Sequence, residues 1–131
     1  DVGDPSNFIR IQKLFNNDFQ KLKKEISGYA FTDPQTRKAI KEIHTKSNYI
    51  ADPHGALGYL GLKTYLEGIE KDTAQGIFFE TAHPIKFAPT VEATLKLKID
   101  PPKQIEKVLA KPSLSIPISD YKSLKDFFLA R

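Results

Sequence analysis

The stretch Gly76-Ile77-Phe78-Phe79-Glu80-Thr81-Ala82-His83-Pro84 carries much of the information on the fold and function of this chain. Residues 76–80 form a short, nearly continuous apolar run, which is typical of a strand buried on both faces in a parallel sheet. The polar residues that follow would emerge at the carboxyl end of the strand, where open α/β sheets bind ligands. The stretch therefore predicts an α/β fold with a ligand-facing strand end.

This predicted strand has almost no partner within the chain. The other extended segment, residues 113–118, contains Pro117, which would remove a ladder hydrogen bond from any central strand. Buried backbone groups without partners cost about 1–3 kcal/mol each. We therefore expect one or two strands that belong to a larger sheet, completed by the remainder of the same polypeptide. An isolated chain would self-associate through the unpaired strand or pack loosely around it.

The rest of the sequence predicts helices. At the start of the chain, apolar residues spaced by three and four predict one long amphipathic helix. Asp4-Pro5 would supply its cap and first turn, and Gly28 would permit a left-handed end. The residues on its apolar face are Phe8, Ile11, Phe15, Phe19, Leu22 and Ile26.

A second helix is predicted to open at Thr32-Asp33-Pro34-Gln35, which matches a capping box. This helix would run to about Asn48 and turn Ala39, Ile40 and Ile43 inward. The chain would thus be one segment, 1–131, in three parts. Residues 1–48 would hold two amphipathic helices, 49–87 a helix and strand contributing to a ligand cleft, and 88–131 the terminal helices.

Asp52-Pro53 reads as the N-cap and first position of a third helix that runs to about Glu70. Small residues on this helix, such as Gly58 and Gly61, cannot fill a core layer, so we expect another backbone or a ligand to approach closely. Three more helices are predicted at 89–97, 102–110 and 120–129.

Composition excludes several classes of function. The chain has 131 residues, of which 40% are hydrophobic and 27% charged, as in one globular domain. No apolar run approaches the roughly 18 residues that cross a membrane. The net charge of +4 comes from thinly spread lysines and predicts no nucleic-acid partner. Cysteine is absent, which excludes disulfides and thiolate sites, and the absence of methionine indicates an excised segment.

Thr81 and His83 are the first candidate site residues. A threonine hydroxyl both donates and accepts, so Thr81 could face a heterocyclic nitrogen without imposing a charge, or it could cap the following turn. Pro84 restricts His83 to extended geometry. The imidazole could act on protons, bind phosphate when charged, or fix the loop through a hydrogen bond.

Asp52 and His54 are further candidates at the start of the third helix. Asp52 most simply caps the helix, and the role of His54 stays open. Together with His83 they match no zinc spacing, so we expect no metal. The chain also lacks a Gly-x-Ser-x-Gly elbow and a Gly-rich phosphate loop.

Four segments resemble the threonine synthase family in the same order, namely residues 1–8, 49–59, 80–87 and 102–106. The most specific string is Thr81-Ala82-His83-Pro84-Ile85-Lys86-Phe87. The resemblance is to the bacterial and fungal type of the family. Gly55 and Gly58 are mild departures, because relatives often carry other small residues there.

The resemblance implies a mostly helical, carboxyl-terminal fragment of a fold-type II, tryptophan-synthase-like enzyme that uses pyridoxal 5'-phosphate. Enzymes of the family convert O-phospho-L-homoserine and water to L-threonine and phosphate, as cytoplasmic lyases of threonine biosynthesis. Thr81 matches the position whose hydroxyl faces the pyridine nitrogen of the cofactor. His83, Lys86, Asp52 and His54 would line or support the pocket.

In the family, the Schiff-base lysine and the phosphate-binding loop lie upstream of the matching region. The resemblance therefore implies no catalytic residue among these 131 and no activity of the isolated chain. Two alternatives stay open. One is another enzyme of the same cofactor group, such as a threonine dehydratase or a cysteine synthase, although His83-Pro84 after Thr81 argues against it. The other is a non-enzymatic helical interaction domain.

Overall fold

The computed structural model describes residues 5–69, 74–112 and 114–130. Within these ranges the chain forms seven α-helices, one short 3₁₀ helix and no strand. The α-helices are α1 (Phe8–Leu14), α2 (Phe19–Glu25), α3 (Asp33–Ser47), α4 (Pro53–Glu67), α5 (Ala88–Leu95), α6 (Lys103–Leu109) and α7 (Tyr121–Leu129). None of the helices in the described ranges is long and apolar enough to cross a membrane.

The chain divides into two compact units, Asp1–Ile99 and Asp100–Arg131. In the first unit, α3 packs against α4 and α5 and provides the centre of a small core. The buried apolar residues of this core are Ala39, Ile40, Ile43, Ala51, Ala56 and Val91. The inward face predicted for the second helix is therefore confirmed.

Both ends of α3 follow from local chemistry. The predicted capping box is formed, with Gln35 Oε1 accepting a hydrogen bond of 2.8 Å from the Thr32 backbone N–H. At the other end, Asn48 adopts a left-handed conformation with φ of 54°, which asparagine tolerates better than most residues. The helix thus begins and ends where the sequence predicts.

The prediction of one long helix at the start of the chain is wrong. The backbone breaks between α1 and α2, where Asn16 and Asn17 have φ values of 53° and 58°. Asp18 then begins α2 by accepting hydrogen bonds from the next turn, including one of 3.0 Å from Gln20 N. Two asparagines that tolerate the left-handed region, followed by a capping aspartate, override the apolar spacing.

Neither predicted end of that long helix applies. The helical stretch stops at Glu25, and the following residue, Ile26, is extended. No described glycine has positive φ, so Gly28 does not provide the left-handed end that the sequence suggested. The proposed cap Asp4 lies outside the described residues.

The third predicted helix, α4, begins at Pro53 after the N-cap Asp52, as expected, and ends at Glu67. Its predicted end, Glu70, lies outside the described residues. The three later helices are confirmed as α5, α6 and α7, with a 3₁₀ helix at Pro84–Phe87 leading into α5. In the second unit, the Asp120 carboxylate caps α7 by accepting from Ser123 N at 2.8 Å.

The predicted strand at 76–80 does not form in the described part of the chain. The side chains of this segment alternate, since Ile77 and Phe79 are about four-fifths exposed while Phe78 is partly buried. Phe78 packs edge-on against Tyr59 of α4, with ring centroids 5.8 Å apart. The described residues offer no neighbouring strand to pair with. Residues 114–118 form no regular element either, and Ser113 lies outside the described residues.

Candidate functional site

The amino-terminal end of α4 places a fully buried carboxyl group. Asp52 has no exposed surface, and its Oδ1 accepts a hydrogen bond of 2.7 Å from the His54 backbone N–H. Nδ1 of the His54 ring lies 2.9 Å from the same oxygen, so the imidazole donates a second hydrogen bond to it. The predicted capping role of Asp52 is confirmed, and both bonds stabilise its ionised form.

A second carboxyl group reaches the same helix end from a distant part of the chain. Glu80 Oε1 accepts a hydrogen bond of 2.7 Å from the Asp52 backbone N–H. In a capping box, a Glu or Gln at the third helical position makes this bond. Here that position is Gly55, and Glu80 makes the bond instead.

Gly55 leaves the space that this arrangement requires. A Cβ on Gly55 would overlap the Glu80 carboxyl group. The sequence predicts a close approach of a backbone or ligand at Gly58 and Gly61, but the closest approach lies at Gly55, and the approaching group is a side chain. At Gly58 the approach is looser, because a Cβ would lie 3.7 Å from Phe78 Cβ, an ordinary contact.

The two carboxyl groups shift each other's ionisation. Burial, followed by the hydrogen bond with Asp52, raises the pKa of Glu80 from 4.5 to about 7. Burial alone would also raise the pKa of Asp52, but its hydrogen bonds with Glu80 and His54 hold that pKa below the ordinary value. Burial and the charges of both carboxyl groups raise the pKa of Tyr49. Glu80 is thus the group that holds a proton near neutral pH.

Thr81 follows Glu80 directly and is exposed. Among the described residues its hydroxyl has no hydrogen-bond partner, so it does not cap the turn that follows. A free hydroxyl at this place can donate to or accept from a ligand.

His83 caps the 3₁₀ helix, because its Nδ1 accepts a hydrogen bond of 3.1 Å from Ile85 N. The acceptor role of Nδ1 places the ring proton of the neutral imidazole on Nε2. Lys86 is exposed, with Nζ 5.8 Å from the centroid of the Phe87 ring. The loop-fixing role considered for His83 is therefore realised, and its Nε2–H stays available.

Phe87 connects this turn to the start of α4, since its ring centroid lies 4.9 Å from that of His54. The structure thus brings Asp52 and His54 into direct contact and places the Thr81 segment beside them through Glu80. Glu80 itself was not predicted as a site residue. The available signal was a carboxylate ending an apolar run, together with a glycine at the third position of a helix.

Two open grooves run along the segment 76–79 and α4, with volumes of about 590 and 620 Å³. Neither is lined by Thr81 or His83. In the described part of the chain, no cluster of three or more His, Asp or Glu side chains could hold a metal ion.

Comparison with known proteins adds an independent line of evidence. A family model described as "Threonine synthase, C-terminal" matches residues 56–127. Threonine synthase of Buchnera aphidicola from Acyrthosiphon pisum is 36% identical over the whole of this chain. Threonine synthase of Escherichia coli strain K12 is 32% identical over 98% of it.

The fold agrees with these similarities. The crystal structure of threonine synthase from Escherichia coli superposes on 99% of this chain with a TM-score of 0.83 and 31% sequence identity. The match covers 29% of the crystallised chain, and the two sequence relatives are likewise covered over 29% of their length.

Proposed function

Because this chain belongs to the threonine synthase family, we propose that it contributes the Thr81 face of a site for O-phospho-L-homoserine. The family model and the sequence relatives confirm the family resemblance inferred from the sequence. Under this proposal, the chain acts within a longer cytoplasmic polypeptide, a carbon–oxygen lyase that converts O-phospho-L-homoserine and water to L-threonine and phosphate. The similarities favour this function over another enzyme of the same cofactor group or a non-enzymatic interaction domain.

The observation that carries the proposal concerns Thr81, an exposed residue between two fixed neighbours, whose hydroxyl has no hydrogen-bond partner in the part of the chain that the structure describes. On one side, Glu80 is bonded to the start of α4, and on the other, His83 caps the 3₁₀ helix. The segment between these two hydrogen bonds is short, which restricts the position of the Thr81 hydroxyl. The hydroxyl itself bonds to no other described group of the protein. That is the arrangement expected of a group reserved for a ligand.

These residues fit one end of pyridoxal 5'-phosphate. A neutral hydroxyl can pair with the pyridine nitrogen in either protonation state, whereas a carboxylate would require a protonated nitrogen. When bound, the cofactor supplies an electron sink for a carbanion of the substrate. The sequence has no Gly-rich loop for the cofactor phosphate, so we assign that contact, and the Schiff-base lysine, to residues outside these 131.

The remaining candidates have supporting parts in this proposal. His83 holds the turn after Thr81 and directs its Nε2–H outward, and Lys86 adds a positive charge to the same turn. Asp52 and His54 support the pocket at the start of α4, because His54 contacts the Asp52 carboxylate and the Asp52 N–H binds the Glu80 carboxyl group. In the fold-type II architecture implied by the resemblance, the segment 76–80 would be a strand of a larger sheet, which would also cover its exposed Ile77 and Phe79.

The test uses the complete gene product that contains this chain. Thr81→Val removes only the hydroxyl, so we expect it to retain the cofactor and to lower kcat for phosphate release by about 10- to 100-fold. Thr81→Ser, which keeps a hydroxyl, is the matched control and should stay within a few-fold of wild type. Cofactor content and phosphate release are measured on the same preparations.

Two results would contradict the proposal. Turnover of L-threonine or L-serine without turnover of O-phospho-L-homoserine would assign the protein to another reaction of the cofactor group. Equal kcat values for the valine and serine variants would show that the Thr81 hydroxyl faces no reacting group.

A further inference from the structure

The carboxyl groups of Asp52 and Glu80 leave two buried oxygens without a donor. Asp52 Oδ2 and Glu80 Oε2 are both inaccessible to water, and neither has a hydrogen-bond donor in the described ranges when both groups are ionised. Each such oxygen would cost about 1–3 kcal/mol. A single proton shared by the two groups satisfies both oxygens, because one carboxyl then donates to the other.

The hydrogen bonds decide which group carries this proton. Asp52 Oδ1 accepts from both the backbone N–H and the ring Nδ1 of His54, which favours the ionised form of Asp52. Among the described residues, Glu80 accepts only from the Asp52 backbone N–H. Two other titratable groups face the pair. The Tyr49 phenol interacts electrostatically with both carboxyl groups, and the His54 ring interacts electrostatically with Glu80 and through its hydrogen bond with Asp52 Oδ1. The pKa of about 7 for Glu80 agrees with this assignment.

The protonated Glu80 makes both of its contacts at one place on α4. Its Oε1 accepts from the Asp52 N–H, its O–H would supply the donor that Asp52 Oδ2 lacks, and Gly55 leaves room for the whole group. The peptide unit after Glu80 is that of Thr81. Loss of the proton would put two like charges in contact in a buried place and push the Glu80 side chain away from the helix.

We propose that Glu80 is a positioning residue for Thr81, held against the first turn of α4 by a proton that it shares with Asp52. The part of this inference that concerns turnover rests on the proposed function of Thr81, whereas the shared proton and the bond to α4 do not. The two parts are therefore tested by separate measurements on the same variants.

The first measurement is amide hydrogen exchange of the peptide covering residues 49–56 in the complete gene product. Glu80→Ala removes the acceptor, so we expect the Asp52 amide to exchange at least tenfold faster. Glu80→Gln keeps an acceptor for the Asp52 N–H and a donor for Asp52 Oδ2, so we expect protection as in wild type. In wild type, protection should decrease as the pH rises through the titration of the pair, and in Glu80→Gln it should not.

The second measurement is kcat against pH for release of phosphate from O-phospho-L-homoserine. We expect wild type to lose turnover at and above the titration of the pair, with a falling limb that is absent in Glu80→Gln. A packing role alone would not produce this difference in pH dependence. If Glu80→Ala fails to fold, the comparison of the pH profiles of wild type and Glu80→Gln still tests the proposal.

Equal pH dependence of amide protection in wild type and Glu80→Gln would overturn the shared proton. Unchanged protection in Glu80→Ala would overturn the bond to α4. If protection behaves as expected but the pH profiles of kcat coincide, Glu80 does not position Thr81. If no phosphate is released by wild type, the proposed function fails, and the exchange measurement still judges the carboxyl pair.

Discussion

Replacing Gly55 by alanine tests whether the Glu80 carboxyl group needs the space at the start of α4. Neither Gly55 nor Gly58 has positive φ, so alanine is compatible with the backbone at both positions. A Cβ on Gly55 would overlap the Glu80 carboxyl group, whereas a Cβ on Gly58 would make only ordinary contacts. The same substitution on the same helix therefore has opposite physical consequences.

The magnitude follows from the bonds that Gly55→Ala would break. Displacement of Glu80 leaves the Asp52 N–H without its acceptor, which costs about 1–3 kcal/mol. Alanine returns up to about 1 kcal/mol through helix propensity. We expect the free energy of unfolding to fall by about 1–2 kcal/mol in Gly55→Ala and to rise by about 0.5–1 kcal/mol in Gly58→Ala.

The assay is urea unfolding of the purified chain at pH 6.5, followed by circular dichroism, with Gly58→Ala as the matched control. A second comparison isolates the contact. In a Glu80→Ala background the space at Gly55 is empty, so Gly55→Ala should become neutral or stabilising. Stabilisation of the otherwise wild-type chain by Gly55→Ala would contradict this prediction, since it would mean that Glu80 does not occupy this space.

Three further predictions concern stability, each measured by urea unfolding of the chain. Glu42, whose pKa is lowered to about 2 by hydrogen bonds with Lys46, Lys63 and Tyr59, adds stability above its ordinary pKa of 4.5 that is lost as the pH falls toward 2. Because the two lysines are largely solvated, we expect wild type to lose only about 1 kcal/mol more than Glu42→Gln between pH 5 and 2, and equal losses would contradict this. Asp52→Ala should cost about 1–2 kcal/mol at pH 7 because the His54 N–H loses its cap, while Asp52→Asn should retain most of the stability. Ile40→Ala, in the fully buried centre of the core, should cost about 2–5 kcal/mol, and a smaller loss would indicate that α3 and α4 are not packed as described.

Local sequence signals predicted the helices and their caps well. The capping box at Thr32, the Asp52-Pro53 start of α4 and the inward face of α3 all depend on residues within one or two turns of each other. The same kind of signal could have corrected the one helix that was wrong. Asn16-Asn17-Asp18 marks a left-handed break followed by a cap, and this signal outweighs the apolar spacing.

Whether residues 76–80 form a strand depends on residues other than their own, because a strand exists only when another segment pairs with its backbone. The side chain of Phe78 packs against α4, whereas those of Ile77 and Phe79 are exposed. The apolar run is therefore present in the sequence, while its pairing depends on segments far away in the chain.

The capped helices, the family and the string in which Thr81 precedes the turn capped by His83 are all predictable from the sequence. These features depend on contacts between near neighbours or on the order of residues along the chain. The contact of the Glu80 carboxyl group with Asp52 at the start of α4 depends on the tertiary structure, because the two residues are separated by 28 positions. Their shared proton depends on burial, which arises only when the helix end and the distant segment pack together.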